Sequence, residues 1–217
     1  MGIIVAIGGG EIAQKDTIEI DKEIISLSRK KCPHVIFISA ASNDSEEYCG
    51  AFQSYYSQLG CDVKLLKLVV ESPSEDEISS LLEWADIIYI GGGNTILLIE
   101  TLKKYSLDTT FKNIFHNKRK VLCGLSAGAL CWFEFGMSDS IPGKWIFVPC
   151  LGILEGCASV GFLRQDNRKY TFLESFSQHA KKGTGIDDRG AVIVQKDKTI
   201  LIKEFVGFVQ ETEKNEK

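Results

Sequence analysis

The segment VLCGLSAGALCW, residues 121–132, decides how this chain is read. Its opening, Val121-Leu122-Cys123, has the apolar character of a buried strand, and it breaks at Gly124-Leu125-Ser126-Ala127-Gly128. Small and helix-favouring residues follow. A buried strand running through G-x-S-x-G into a helix carries its serine at the tip of a sharp turn, the context in which hydrolases expose a nucleophile. Glycines on either side relieve crowding in such a turn. The N–H of Ala127, next to Ser126, is positioned to serve as one oxyanion donor.

Outward from this turn, short apolar runs alternate with amphipathic segments. Strands are expected at 3–7, 34–40, 62–68, 86–90 and 120–124. Helical spacing of apolar residues marks 17–30, 45–59 (ended by Gly60), a segment begun by Ser74, Asn94 to about Lys104, and 107–116. Ser74 followed by Glu77 is a capping box. Unbroken apolar strands alternating with helices predict a parallel sheet buried on both faces. The fold class is therefore α/β, a three-layer α/β/α sandwich with a mostly parallel sheet. After Trp132 the pattern changes to strand-like pieces near 145–148 and 157–161 and a helix near 167–179. The stretch from Gly190 reads as a β-hairpin turning at Lys196-Asp197-Lys198, and 211–217 reads as a frayed tail. No linker or repeat interrupts the chain, so residues 1–210 are expected to form one domain.

Ligands of open α/β sheets bind outside the carboxyl ends of the strands. Three glycine-rich turns are expected at that edge. Gly8-Gly9-Gly10 suits either a phosphate at a helix start or a purely structural turn, and it matches no standard phosphate motif. Gly91-Gly92-Gly93-Asn94-Thr95 offers bare N–H groups to an oxyanion, or else a tight turn with Asn94 or Thr95 as helix cap. The third turn carries Ser126. If strands 86–90 and 120–124 are neighbours, the Gly91–Gly93 amides face Ser126.

Composition narrows the function. The 217 residues are 44% hydrophobic and 25% charged, with net charge -4, which leaves no electrostatic footprint for nucleic acid. Seven cysteines, an odd number without C-x-x-C spacing, behave as small hydrophobes and fit a reducing cytoplasm. No metal spacing is visible, and neither a metal nor a cofactor is expected. The apolar start, MGIIVAIGGGE, is too short to span a membrane.

GGGNT before a helix, then GLSAGALCWFEFGMSDS about thirty residues later, resembles the peptidase E and cyanophycinase family of serine peptidases. IVAIGGGEI and VIFISAASNDSEEY are similar to its opening segments, so the resemblance runs from residue 3 to about 193. It implies a fold like class I glutamine amidotransferase domains and a Ser-His-acid triad that hydrolyses small peptides after an aspartyl residue. Ser126 matches the nucleophile. Gly92 and Gly93 match the oxyanion turn, with Asn94 beside them. Asp139 or Glu134 falls where an acidic residue is expected. A cytoplasmic monomer or homodimer acting on a small aspartyl-containing substrate, without nucleic-acid or membrane partners, is the corresponding expectation.

One element of that pattern is missing. The family's histidine segment is replaced by LGILEGCASVGFLRQDNR, which puts Ser159 or Gly161 at the histidine position. The chain's three histidines lie elsewhere in sequence. His34 and His116 each precede a strand, so both belong to the amino-end edge, a sheet height of roughly 16 Å from Ser126. His179 ends a helix near the far edge. Glu134, Asp139 or Glu11 would be substitute bases, and Cys157 only if ionised. An aspartyl substrate needs a cation, for which Arg164, Arg168 and Lys144 are candidates. Two other readings stand beside the hydrolase: a binding module that has lost its base, and an amidotransferase-like or phosphate-binding protein. An amidotransferase would carry cysteine at 126.

Overall fold

The structure is a computed structural model that describes residues 2–164, 166–195, 198–202 and 209–213. In chain order the first half consists of β1 (Ile3–Ile7), α1 (Ile18–Ser28), β2 (His34–Ile38), α2 (Glu46–Gln58), β3 (Asp62–Leu66), α3 (Glu75–Trp84) and β4 (Ile87–Ile90). Then come α4 (Thr95–Lys104), α5 (Leu107–Asn117), β5 (Val121–Leu125) and the single turn α6 (Ala127–Leu130). The remainder holds β6 (Phe133–Ile141), β7 (Lys144–Pro149), β8 (Leu154–Val160), α7 (Asp166–Ser175), β9 (Lys182–Ile186), β10 (Ala191–Gln195), β11 (Lys198–Ile202) and β12 (Val209–Glu213).

The main sheet has the order β11-β10-β1-β5-β4-β2-β3. Its five early strands pair in parallel, and β10 and β11 add to the β1 edge antiparallel. Side-chain alternation explains the unbroken apolar runs. Ile4, Ala6, Ile36, Ile38, Ile88, Ile90 and Leu122 face a core closed by α3, α4 and α5. Val5, Ile7, Val35, Phe37, Ile87, Tyr89 and Cys123 face a second core closed by α1 and α2. Burial on both faces accounts for the apolar runs of β1, β4 and β5, whereas the edge strand β3 carries the exposed Asp62 and Lys64. Strands β4 and β5 are adjacent, with Ile90 opposite Gly124, which brings the second and third glycine turns side by side.

The hairpin at the C-terminal end forms as β10 and β11 with Gln195 opposite Lys198, its turn residues 196 and 197 lying outside the described residues. A second sheet, β12-β9-β8-β6-β7, was not foreseen as a unit. Phe133, Val148, Leu154, Ala158, Val160 and Ile186 from it join the core shared with α4 to α6. Residues 211–213, expected to fray, instead pair with β9, Glu211 opposite Thr184. Residues 214–217 lie outside the described residues.

Candidate active site

Ser126 sits between β5 and α6 with φ +54° and ψ −112°, a conformation that non-glycine residues rarely adopt. Its N–H donates to Ile7 O at 2.9 Å, and its carbonyl accepts from Ala129 and Leu130, which ties the turn to β1 and starts the helix. The turn also needs close backbone approach. A methyl carbon at 124 would stand 2.1 Å from Gly128 O, and one at 128 would stand 2.1 Å from Ile90 O. Only glycine fits at either flank. The positive φ at Ser126 is thereby held by close backbone packing at both flanking glycines.

The serine opens onto a cleft of about 260 Å³ at the carboxyl edge of the main sheet. Gly92 and Gly93 form the wall next to it: a methyl carbon at 92 would lie 3.2 Å from Ser126 Cβ and 3.9 Å from its Oγ. Tyr48 lies beside Gly92, and the lining also includes Glu11, Gly161, Arg164, Arg168 and Asp188. Tyr48, in the first turn of α2, accepts the Gly92 N–H on its hydroxyl at 3.2 Å. Among the described residues, the Gly93 and Ala127 N–H groups donate to no protein acceptor.

Charge in the cleft is arranged in pairs. Arg164 Nη2 lies 2.7 Å from Asp188 Oδ2, and Asp188 Oδ1 is buried without a hydrogen-bond partner among the described residues. Arg168 is buried, donates through Nη1 to Val160 O, pairs through Nη2 with Asp139 at 3.1 Å, and lies 4.2 Å over the Trp145 ring. Burial pulls its guanidinium below the ordinary arginine range, while the Asp139 carboxylate pushes it back up. Among the described residues no cluster of three His, Cys, Asp or Glu side chains could hold a metal ion. None of the helices among the described residues is long and apolar enough to cross a membrane.

The model of Peptidase family S51 matches residues 4–202. The chain belongs to peptidase family S51. It is similar to a Bacillus subtilis (strain 168) protein named "uncharacterized peptidase YgaJ", 33% identical over 191 residues that span 87% of this chain and 81% of the relative. Among solved structures, a peptidase from an acI-B1 Actinobacterium superposes with a TM-score of 0.72 at 20% identity, covering 98% of this chain and 97% of the other. A putative peptidase E protein from Listeria monocytogenes EGD-e gives 0.68 at 20% identity, covering 92% and 97%. The last two likenesses concern the fold.

The S51 chain distributes the residues singled out in its sequence unevenly. Ser126, Gly92, Gly93 and Gly161 line one cleft, and Glu11, Arg164 and Arg168 join them. Ala127 heads α6 directly behind the serine. Asn94 does not line the cleft: its side chain accepts the Leu97 N–H at 3.0 Å and caps α4, the structural alternative for that turn. Glu134 is also elsewhere, its carboxylate accepting the Gly156 N–H at 2.8 Å. Asp139 meets the cleft only through Arg168. Ser159 is fully buried in β8, its hydroxyl without a partner among the described residues, so of the two candidate histidine positions Gly161 is the one at the cleft. Lys144 is exposed at the start of β7 and lines no part of the cleft.

None of the three histidines lines the cleft. His34 stacks on Trp84 at 4.3 Å at the amino end of β2, His116 lies against Phe115, and His179 stacks on Phe147 at 4.1 Å in the second sheet. Burial pushes the Cys157 thiol up to about 12, so it is no thiolate base. The Gly8–Gly10 turn lines the same cleft and is closely packed. Gly8 N–H donates to Gly190 O, and methyl carbons at 8 and 9 would strike Asp187 O and Asp188 Oδ1 at 2.2 and 2.0 Å. Among the polar side chains of the cleft, Tyr48 and Asp188 escaped the sequence reading: Tyr48 lies in α2 and Asp188 in the turn after β9, and no motif marks either.

Proposed function

We propose that this S51 peptidase is a serine hydrolase that cleaves small aspartyl-containing peptides through Ser126. The observation that carries the reading is the Ser126 backbone at φ +54° on a glycine-packed elbow, opening into a cleft beside Gly92 and Gly93. In the proposed reaction Ser126 Oγ bonds to the scissile carbonyl carbon, and the carbonyl π electrons move onto oxygen. N–H groups of Gly93 and Ala127 stabilise that charge. The amine then leaves with a proton, and water hydrolyses the acyl-enzyme. Arg164, exposed and paired with Asp188, is the cleft cation that an aspartyl carboxylate could engage by competing for that pair, whereas Arg168 is buried against Asp139 and Val160 O.

The family histidine is absent from the cleft in this reading, with Gly161 in its place. Proton transfer then falls to a cleft carboxylate, Glu11 or Asp188, and turnover is correspondingly slow. The second reading, a peptide- or ligand-binding module on the same scaffold, is favoured by the places the three histidines occupy. Labelling with a fluorophosphonate, read by intact mass, separates the two. Adduct on the wild type and none on Ser126→Ala supports the hydrolase, and cleavage of an Asp-X dipeptide panel then tests the specificity. No adduct on folded protein overturns the hydrolase and leaves the binding module. A cytoplasmic setting and a monomer or homodimer complete the proposal.

A further inference from the structure

We propose that the Tyr48 hydroxyl is an oxyanion donor of the Ser126 site, making Tyr48 a catalytic residue. The inference rests on the hydrolase reading above. Three observations carry it. Tyr48 lines the cleft that Ser126 opens onto. Its Oη accepts the Gly92 N–H at 3.2 Å, and a methyl carbon at 92 would lie only 3.9 Å from Ser126 Oγ. Its ring is fixed: it stands edge-on to Phe37 at 5.1 Å, and a methyl carbon at 91 would touch it at 2.9 Å.

The Gly92 amide therefore points at Tyr48 rather than into open cleft. A phenol that accepts one hydrogen bond still has its own proton to donate. Among the described residues that O–H donates to no protein acceptor, so it is available to the cleft. Burial and nearby carboxylates hold the phenol near 12, against the pull of the Gly92 bond, so it remains a neutral donor at physiological pH. The chain Gly92 N–H to Tyr48 O–H to substrate oxygen polarises in one direction, which strengthens its last link. When Ser126 Oγ bonds to the carbonyl carbon, the negative charge that appears on the carbonyl oxygen receives the Tyr48 hydrogen bond. No proton is transferred in that contact. The Ser126 proton goes to a cleft carboxylate.

Tyr48→Phe tests this in the full chain, because it retains the ring that packs on Phe37 and removes only the hydroxyl. The readout is the rate at which Ser126 is phosphonylated by a fluorophosphonate, in which the Oγ–P bond forms and fluoride leaves. Loss of one oxyanion donor lowers such rates by about 10²-fold. That loss in a protein that remains folded, with a melting temperature lowered no further than the lost Gly92 hydrogen bond accounts for, supports the proposal. An unchanged rate overturns it. A faster rate also overturns it, because Tyr48 would then be a plug that the Gly92 N–H is better without. A structure of the phosphonylated wild type gives an independent answer: the phosphonyl oxygen must lie within hydrogen-bond distance of Tyr48 Oη, and an oxygen directed elsewhere refutes the role. A wild type that takes no label overturns the hydrolase reading and this inference together, whereas a labelled wild type matched by Tyr48→Phe overturns this inference alone.

Discussion

Replacing Gly161 by alanine asks whether the Arg168 guanidinium holds the volume in which a side chain at 161 would stand. Two costs follow from the structure. Gly161 has φ +54°, and an L-residue there costs roughly 1–2 kcal/mol. The new methyl carbon would also lie 2.7 Å from Arg168 Nη1. A free arginine would step aside at little cost, but this one is 7% exposed and held by Val160 O, Asp139 and the Trp145 ring. A hydrogen bond from a charged donor is worth about 1.5–3 kcal/mol, which sets the cost of eviction. Gly161→Ala should then lose roughly 2.5–5 kcal/mol in the wild type but only about 1–2 in an Arg168→Ala background. Denaturant unfolding of the four proteins completes the cycle, with an expected coupling of about 1.5–3 kcal/mol. A coupling within about 0.5 kcal/mol of zero would refute the claim that the guanidinium fills this space.

Three further outcomes are expected. Gly124→Ala, whose methyl carbon would meet Gly128 O at 2.1 Å, should yield no folded protein, while Gly92→Ala, at 3.2 Å from Ser126 Cβ, should fold and lose roughly tenfold in Ser126 labelling; equal yields of both would contradict the packing described. Glu134→Ala should cost about 1.5–3 kcal/mol through the orphaned Gly156 N–H and leave the labelling rate unaltered; a lost label would return Glu134 to the chemistry. Asp21 is fully buried, and burial raises its carboxyl above 3.8 against the bonds from Tyr56, Thr17 and Tyr55 that lower it. A raised folded value means its contribution is complete below the unfolded value and is lost as pH rises through the folded one. The unfolding free energy of the wild type minus that of Asp21→Asn should therefore fall as pH climbs above about 3.8, and a difference that rises or stays flat would contradict the sign.

The main sheet was legible because burial on both faces writes itself into every residue of a strand, as in Ile3–Ile7 and Ile87–Ile90. The strand-turn-helix at Ser126 was legible because its glycines and serine lie within five residues. The second sheet was not. Its strand β9, KGTGI, carries two glycines, and β12, VQETE, is mostly charged or polar, so neither shows the β-branched signature of a strand. Their pairing depends on partners far away in sequence. The same reason hid Tyr48, one aromatic of several on α2, and Asp188, a loop carboxylate. Asn94 and Glu134 failed in the opposite way: a motif position drew attention to side chains that a helix cap and the Gly156 amide already occupy.

The cleft that results has unequal halves. One half brings together Ser126 at φ +54°, the Gly93 and Ala127 N–H groups, which have no protein acceptor among the described residues, and the Tyr48 phenol. Its basic half lacks an imidazole, and the space next to Gly161 belongs to a guanidinium, which takes no proton from serine. In other hydrolases the oxyanion hole and binding alone retain on the order of 10³–10⁴-fold over water once the triad is broken. If Ser126 is the nucleophile, a cleft built this way should depend heavily on each oxyanion donor, because no imidazole lines it. Loss of the Tyr48 hydroxyl should accordingly weigh on labelling of Ser126 at least as heavily as substitutions at Glu11 or Asp188. Were a single carboxylate variant to abolish labelling while Tyr48→Phe left it intact, the basic half would carry the chemistry and this ordering would be reversed.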